Sequence, residues 1–429
     1  MKATHKAMGF HKRRPLFWWV LCFSLCFQHH MSGCATPKPV QTPYERGLMY
    51  AEGMGVPRDN EKASKLFAEA AQQLAQAAEE GEVEAQYQLG RMHDKAYGIP
   101  WERRKAVEWF KKAAAQGHAR AQFHLGEMYY TGRGVSQESR QAAYWLKKAA
   151  KQGHAGAQWL LGQMYAQGEG EVSKNPKKAV KLIGRAAQKF TKAAHRGEAE
   201  AQNALGTMYL QGHGVPLDDE KALELFEKAA AQGHAEAQFN LGMLYVDGRA
   251  VPPDETKAEE WFSKAAHQGS ADIKYRLAMK YFMGDGVPED KKKAEEWLEK
   301  AAQQGDPDIQ LKLSKMYFDG RFLEKNTYKA LKWLTKAAAQ GHAEAQFYLG
   351  RLYAEGGEGP QAVEWLTKAA ERSHAQAQHK LGELYLKGQH LPPNPQKGCE
   401  LLSAALEQEE ALSYEKHEAT ELHETFCAN

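Results

Sequence analysis

The chain predicts an all-α solenoid of about ten stacked helix hairpins, and three observations carry that expectation. The first is a recurring A-x-A-Q-x-x-L-G-x-M-Y pattern whose leucine falls at Leu89, Leu125, Leu161, Leu205, Leu241, Leu277, Leu313, Leu349 and Leu381. The second is the spacing, with gaps of 36, 36, 44, 36, 36, 36, 36 and 32 residues. A period in this range marks supersecondary units that bury a core only by stacking. The third is that each period holds two stretches of helical spacing separated by turn residues. A weaker copy begins near Tyr44, where Gly47, Tyr50, Gly53 and Gly55 keep the spacing.

Within one unit, Ala85, Leu89 and Met92, with Tyr87 beside them, have the spacing of an amphipathic first helix. A turn follows, written Gly132-x-Gly134-Val135 or Gly212-x-Gly214-Val215-Pro216 in neighbouring units. Its glycines permit positive φ, and its proline stops the helix from continuing. The second helix runs as K-A-x-x-W-x-x-K-A-A, as from Lys105 to Ala114, with Trp109, Phe110, Ala113 and Ala114 apolar. Gly117, Gly153, Gly233, Gly269, Gly305 and Gly341 close it and suit a left-handed cap. Tryptophans Trp109, Trp145, Trp261, Trp297, Trp333 and Trp365 repeat at one second-helix position, as do the aromatics Tyr87, Phe123, Trp159, Phe239, Tyr275 and Phe347 on the first. Both stripes are expected in the core between units, because large aromatics contribute most per residue to burial.

The irregular units obey the same logic. Between Lys62-Ala63 and Ala85-Gln86, and again between Ala179 and Gln202, the chain carries seven residues more than in the regular unit. Seven residues are close to two helical turns, with a mismatch of only about 20°. The second helix is therefore expected to lengthen while keeping its apolar face on the core. The last extra residue of the 44-residue gap falls in the Gly168–Pro176 turn, and the 32-residue gap loses four at Gly356–Pro360.

These motifs, L-G-x-M-Y, G-x-G-V-P and K-A-x-x-W-x-x-K-A-A-x-Q-G-H-A, resemble the Sel-one-like repeat (SLR), a relative of the tetratricopeptide repeat. The resemblance covers roughly Tyr44 to Glu410. It implies a right-handed α/α superhelix that serves as a protein-binding scaffold, with no chemistry intrinsic to the fold.

The ends divide the chain into residues 1–33, 34–43, the solenoid 44–410 and a polar tail or capping helix 411–429. Lys2, Lys6, Lys12, Arg13 and Arg14 form a basic start, and Pro15–Phe27 is an apolar run. That run is too short to span a membrane, which takes about 20 residues, but it fits a signal peptide. Met31-Ser-Gly-Cys34 resembles a bacterial lipobox, which implies cleavage after Gly33 and diacylglycerol on Cys34; an ordinary secretory signal is the alternative. Met31 in place of leucine and the polar Gln28-His-His30 depart from the lipobox pattern. Pro37, Pro39 and Pro43 make residues 34–43 an extended tether. Ala35 after the cysteine, by the usual lipoprotein sorting pattern, points to the outer membrane, facing the periplasm. Without residues 1–33, basic residues fall slightly below the acidic ones, from 57 against 54 in the whole chain. No basic stripe remains of the kind that a nucleic-acid footprint needs.

No constellation of catalytic or metal-binding residues emerges, and no cofactor is expected. His118, His154, His234 and His342 occupy one repeat position, so they sit on stacked helices about 8–10 Å apart and cannot close around one ion. They are expected at the junction between helices. His417, His423 and Cys427 lie in the tail, where His423 and Cys427 share a face if the tail is helical. Ser413-Tyr-Glu-Lys416 matches S-x-x-K, but neither an S-D-N nor a K-T-G partner accompanies it. Cys399 and Cys427 are the remaining cysteines after the signal and Cys34, and sequence does not say whether they pair. The chain lacks the repeat cysteines of the disulfide-rich Hcp-type relatives.

The informative positions are those that vary between units. On the first helix these include Gln88 and Arg91, His124 and Glu127, Asn240, Arg276, and Tyr348 and Arg351. Nothing in packing fixes their identity, so their face is expected to be solvated and to line the concave groove, as the first helices do in related superhelices. The expected function is a non-catalytic, lipid-anchored scaffold of the bacterial envelope with protein partners, serving an envelope, secretion or host-contact complex. The alternatives are β-lactamase or penicillin-binding activity, as in Hcp-type relatives, and peptidoglycan binding.

Overall fold

The computed structural model describes residues 42–427 apart from 53–55, 57–58, 100–101, 136, 170–171 and 409–415; the expected signal segment and Cys34 lie outside the described residues, as does Ser413. Among the described residues the secondary structure is helical, with no strand. Ten hairpins follow one another: α1 (Pro43–Glu52) with α2 (Asn60–Glu79), α3 (Val83–Lys95) with α4 (Arg103–Ala115), α5 (Ala119–Thr131) with α6 (Ser139–Lys151), α7 (Ala155–Gln167) with α8 (Pro176–His195), and α9 (Ala199–Gln211) with α10 (Asp219–Ala231). The second half pairs α11 (Ala235–Asp247) with α12 (Glu255–Gln268), α13 (Ala271–Met283) with α14 (Lys291–Gln303), α15 (Pro307–Asp319) with α16 (Thr327–Ala339), α17 (Ala343–Glu355) with α18 (Gly359–Ala370), and α19 (Ala375–Lys387) with α20 (Pro395–Leu406). A last helix, α21 (Lys416–Cys427), packs on α20. Odd-numbered helices up to α19 are therefore first helices and even-numbered ones second helices.

Length variation falls where the periodicity puts it. The two long units lengthen their second helices, α2 and α8, to 20 residues each against 13 in α4. The short ninth unit closes at Gly356, which stays right-handed, and α18 starts three residues later.

Capping explains most of the boundaries. Seven of the second helices start at Asp59, Asn175, Asp218, Asp254, Asp290, Asn326 or Asn394, whose side chain accepts the N–H of the third helical residue. Five first helices start at a histidine that does the same: Nδ1 of His118, His154, His234, His342 and His374 accepts the N–H three residues on. The expected left-handed closure of the second helix holds at Gly117, Gly153, Gly233, Gly305 and Gly341. Gly269 is the exception, with φ −80° and ψ 172°. There α12 runs one residue further, and the Lys274 ammonium reaches the Gly269 carbonyl at 2.6 Å.

Successive hairpins are joined by a glutamine. In A-x-A-Q the Gln Nε2 donates to a carbonyl at the end of the preceding second helix, as Gln122 does to Ala114 (3.0 Å) and Gln310 to Ala302 (3.0 Å). In some units its Oε1 also accepts from a glutamine further on, as Gln122 does from Gln152 (2.8 Å) and Gln310 from Gln340 (2.7 Å). This satisfies orphan carbonyls at a buried helix end.

Within each hairpin the core is an aromatic or aliphatic side chain against a small residue. A Cβ at Gly242 would lie 2.5 Å from the Phe262 ring, so the glycine is what lets α11 and α12 close on each other. The corresponding residues Phe110, Leu146, Phe226, Leu298, Leu334 and Leu366 are at most 1% exposed. This corrects the expectation for the tryptophan stripe. Only Trp297 and Trp333 are buried; Trp109, Trp145, Trp261 and Trp365 are half-buried, because the next residue in sequence takes the centre of the hairpin. Each tryptophan instead carries a lysine ammonium over its face from three residues on, as Lys112 does over Trp109 (3.9 Å) and Lys264 over Trp261 (4.3 Å). The first-helix aromatics do lie between units: Tyr87, Phe239 and Phe347 are buried, and Tyr87 and Phe123 each pack against the capping histidine of the next repeat with ring centres 4.5 Å apart.

One contact breaks the nearest-neighbour rule. The Arg103 guanidinium at the start of α4 pairs with Asp306 (2.7 Å) and Asp308 at the start of α15, and Asp308 also meets His342 Nε2 at 2.8 Å. Arg103 and Asp306 are largely buried by this contact. Beside it, Arg104 donates to the carbonyl of Arg372.

Candidate protein-binding groove

The first helices form the more tightly curved layer: α11 touches α13 and α13 touches α15, whereas successive second helices do not approach as closely. The face that carries the variable positions therefore lies on the inner side of that stretch. All eight candidate residues lie on first helices: Gln88 and Arg91 on α3, His124 and Glu127 on α5, Asn240 on α11, Arg276 on α13, and Tyr348 and Arg351 on α17.

Their exposure differs from the expectation of a freely solvated face. Arg351 is exposed, while the other seven are half-buried. The reason is that neighbouring first helices stand close enough for side chains to bridge them. Asn240 donates to Asn203 of α9 at 2.9 Å. Arg276 pairs with Glu236 of α11 at 2.8 Å and lies over the Phe239 ring at 3.8 Å. Tyr87 of α3 meets His124 at 3.5 Å, and Lys315 of α15 pairs with Glu344 at 2.7 Å while covering the Tyr348 ring at 4.7 Å. Arg351 pairs within its own helix with Glu355 at 3.3 Å, and Gln88 donates to Glu84 at 3.1 Å.

The electrostatics of the N-terminal part of this face centre on Glu127. Burial opposes its ionisation, but the His124 hydrogen bond and the Arg133 charge outweigh burial and hold the carboxyl at about 2. Burial, with the charges of His124 and Arg120 next, pushes His154 down to about 4. His154 is thus neutral at pH 7, which leaves Nδ1 free to accept the Ala157 N–H at 3.2 Å. Lys315 is shifted upward: burial works against its charge, and the Glu344 hydrogen bond and charge overcome it.

What the face offers is recognition chemistry. Paired charges lie at either end, and in the middle Leu160, Gln163, Asn203, Thr207, Asn240 and Met243 present amide, hydroxyl and apolar groups without charge. Among the described residues no group of three or more His, Cys, Asp or Glu side chains is placed to hold a metal ion. Cys427 is not an available thiolate, because it forms a disulfide with Cys399 across a Cα separation of 5.6 Å, and His423 meets Ser403 Oγ at 3.0 Å. His423 and Cys427 do share a face of α21, turned to α20. Sequence reasoning missed Asn203, which sits one residue off the register followed in the other units, and Lys315 and Arg133, which complete pairs across the face. It also missed the histidine caps, although Asp306 at the same repeat position is a familiar capping residue.

The model of the Sel1 repeat family matches residues 44–73, 83–118, 119–154, 155–189, 199–234, 235–270, 274–306, 307–342, 343–374 and 375–409. Among solved structures, a protective antigen of uropathogenic Escherichia coli displaying an SLR fold is 33% identical, over 85% of this chain and 76% of that one, with a TM-score of 0.36. A Sel1 repeat protein from Oxalobacter formigenes is 32% identical, over 72% of this chain and 85% of that one, with a TM-score of 0.32. No curated protein matches. Repeats of this kind mediate protein–protein interaction, and their scaffold is generally non-catalytic. With ten matched repeats spanning most of its length, the chain belongs to the Sel1 repeat family, and its fold is an SLR solenoid.

Proposed function

We propose that this chain is a non-catalytic scaffold of the bacterial envelope, anchored through lipid on Cys34, that holds an extended segment of a protein partner along the first-helix face. The observation that carries the reading is the contrast between the recurrent apolar centre of each hairpin and the first-helix face, where residue type changes more widely from repeat to repeat among bridged, half-buried side chains. The Cys399–Cys427 disulfide supports export, since such bonds persist in oxidising compartments. Among the described residues no helix is long and apolar enough to cross a membrane. Cys34→Ser should abolish labelling by a palmitate analogue and release the folded protein from the membrane fraction. Continued labelling of the variant would overturn the lipobox reading.

The partner-binding face is tested by photo-crosslinkers placed at Gln88, Asn240 and Tyr348, followed by mass spectrometry of captured peptides from envelope extracts. The same probes at Lys111 and Lys147 on the second helices serve as the comparison. Capture from the second set alone would move the site to the outer layer. Hydrolysis of nitrocefin by the purified protein would contradict the non-catalytic reading, and co-sedimentation with isolated sacculi would favour peptidoglycan over a protein ligand.

A further inference from the structure

The end of a solenoid is a problem of its own, because the last hairpin has no neighbour to cover its stacking face. Here α21 covers it. Ala419 is fully buried against the tenth hairpin and Leu422 partly, over an apolar cluster that includes Leu386, Leu402 and Ala405. That is a small contact for a helix of twelve residues. Helices this short are marginal on their own. Further ties among the described residues include the hydrogen bond between Ser403 and His423, on a partly exposed surface, and the disulfide from Cys399 on α20 to Cys427 at the end of α21. Both cysteines are half-buried, and an open groove lined by Gln396, Glu400 and Phe426 leads to the bond.

We propose that α21 is a redox-released cap: reduction of Cys399–Cys427 frees the helix and uncovers the end face of the tenth repeat, while the hairpins before it keep their structure. The chemistry needs a dithiol. One of its thiolates attacks a cystine sulfur, the S–S bond breaks, and one cysteine leaves as a thiolate. The second dithiol sulfur then attacks the mixed disulfide, becomes a cyclic disulfide and releases the other cysteine. The dithiol gives up two electrons, and the two cysteines take up two protons to end as thiols. Release is local because, among the described residues, α21 packs chiefly on α20 and to a lesser extent on α19, and because repeat stability is set mainly by nearest neighbours.

The test is amide exchange of the full chain, read by mass spectrometry with and without dithiothreitol, alongside alkylation of Cys399 and Cys427. The loop closed by the bond spans 28 residues. Losing such a closure should speed exchange in α21 on the order of a hundredfold. Exchange in α17 and α18 should stay unchanged, and both cysteines should alkylate only after reduction. The double substitution Cys399→Ser and Cys427→Ser should show fast exchange in α21 whether or not dithiothreitol is present, which separates this bond from the other cysteines of the chain. Equal protection of α21 in the reduced protein would overturn the proposal. So would alkylation of both cysteines without reductant, or loss of protection throughout the repeats.

Discussion

Two interfaces between successive hairpins use the same slot in opposite ways. Between the second and third repeats, Val107 of α4 is buried in one apolar cluster with Tyr129 of α5. Between the sixth and seventh, the equivalent of Val107 is Glu259, which accepts from the Tyr281 hydroxyl at 2.7 Å and from Lys293 at 2.8 Å. The next interface repeats the arrangement with Glu295, Tyr317 and Lys329, each contact 2.7 Å from the carboxylate, and adds Glu299. Both tyrosines are shifted upward by burial and by their carboxylate partners, and both glutamates downward, Glu259 chiefly by Lys293 and Glu295 by Lys329 against the opposing effect of burial. Stacking thus fixes the geometry of the slot but not the force that fills it. One interface rests on burial, the other on charge-assisted hydrogen bonds.

The largest effect should come from the centre of the hairpin, which is common to both regions. Phe110→Ala and Phe262→Ala should each cost about 3–5 kcal/mol in a denaturant titration. Trp261→Ala, at a half-buried position, should cost clearly less, about 1–2 kcal/mol for partial burial of a large side chain. Equal losses for Phe262 and Trp261 would restore the tryptophan to the core.

Next, Glu259→Ala should cost about 1–3 kcal/mol, because the buried Tyr281 hydroxyl loses its acceptor. Its cost should shrink in acid. The folded glutamate is shifted below its ordinary value, so its contribution is full above the ordinary carboxylate range and fades as pH falls through the lowered value. Val107→Ala should show no such dependence. Melting curves of both variants from pH 7 to pH 3 would sharpen the contrast, and parallel behaviour would dissolve it.

A similar argument applies to Glu127, whose carboxyl lies at about 2 against an ordinary 4.5. Glu127→Gln should lower the melting temperature at neutral pH, and the difference from wild type should disappear between about pH 4.5 and pH 2. The smallest effect belongs to the exposed Arg351. Its charge reversal should change stability by no more than about 0.5 kcal/mol, while weakening partner capture if the first-helix face is the site. Reversal at Arg276 should lower stability more, because it sets Glu236 against a like charge over the Phe239 ring.

Much of this fold was legible because the repeat writes one local rule many times. Leu241, Gly242 and Phe262 are each dictated by their own hairpin, so a single chain shows their roles through recurrence. The length of α2 and α8 was legible for the same reason, since seven residues nearly preserve the helical phase. The burial of Trp261 was not, because two adjacent aromatics, Trp261 and Phe262, have the same apolar character and differ only in angle around the helix. The bridges of the inner face were hidden as well. Arg276 and Glu236 come together across two hairpins, and nothing in the local pattern of either marks the other as its partner.

The Arg103 contact with Asp306 and Asp308 changes how such a chain responds to damage. Stacked repeats behave as a one-dimensional array, in which a defect in one unit loosens its neighbours and is not felt further away. A bond between groups 203 and 205 residues apart adds a second route between distant units. The hairpins from α4 to α15 become an arc with its ends tied. Unfolding any one of them slackens the tie, and breaking the tie removes support from all of them at once. Arg103 and Asp306 thus give units far apart in the sequence a direct contact that stacking alone does not supply.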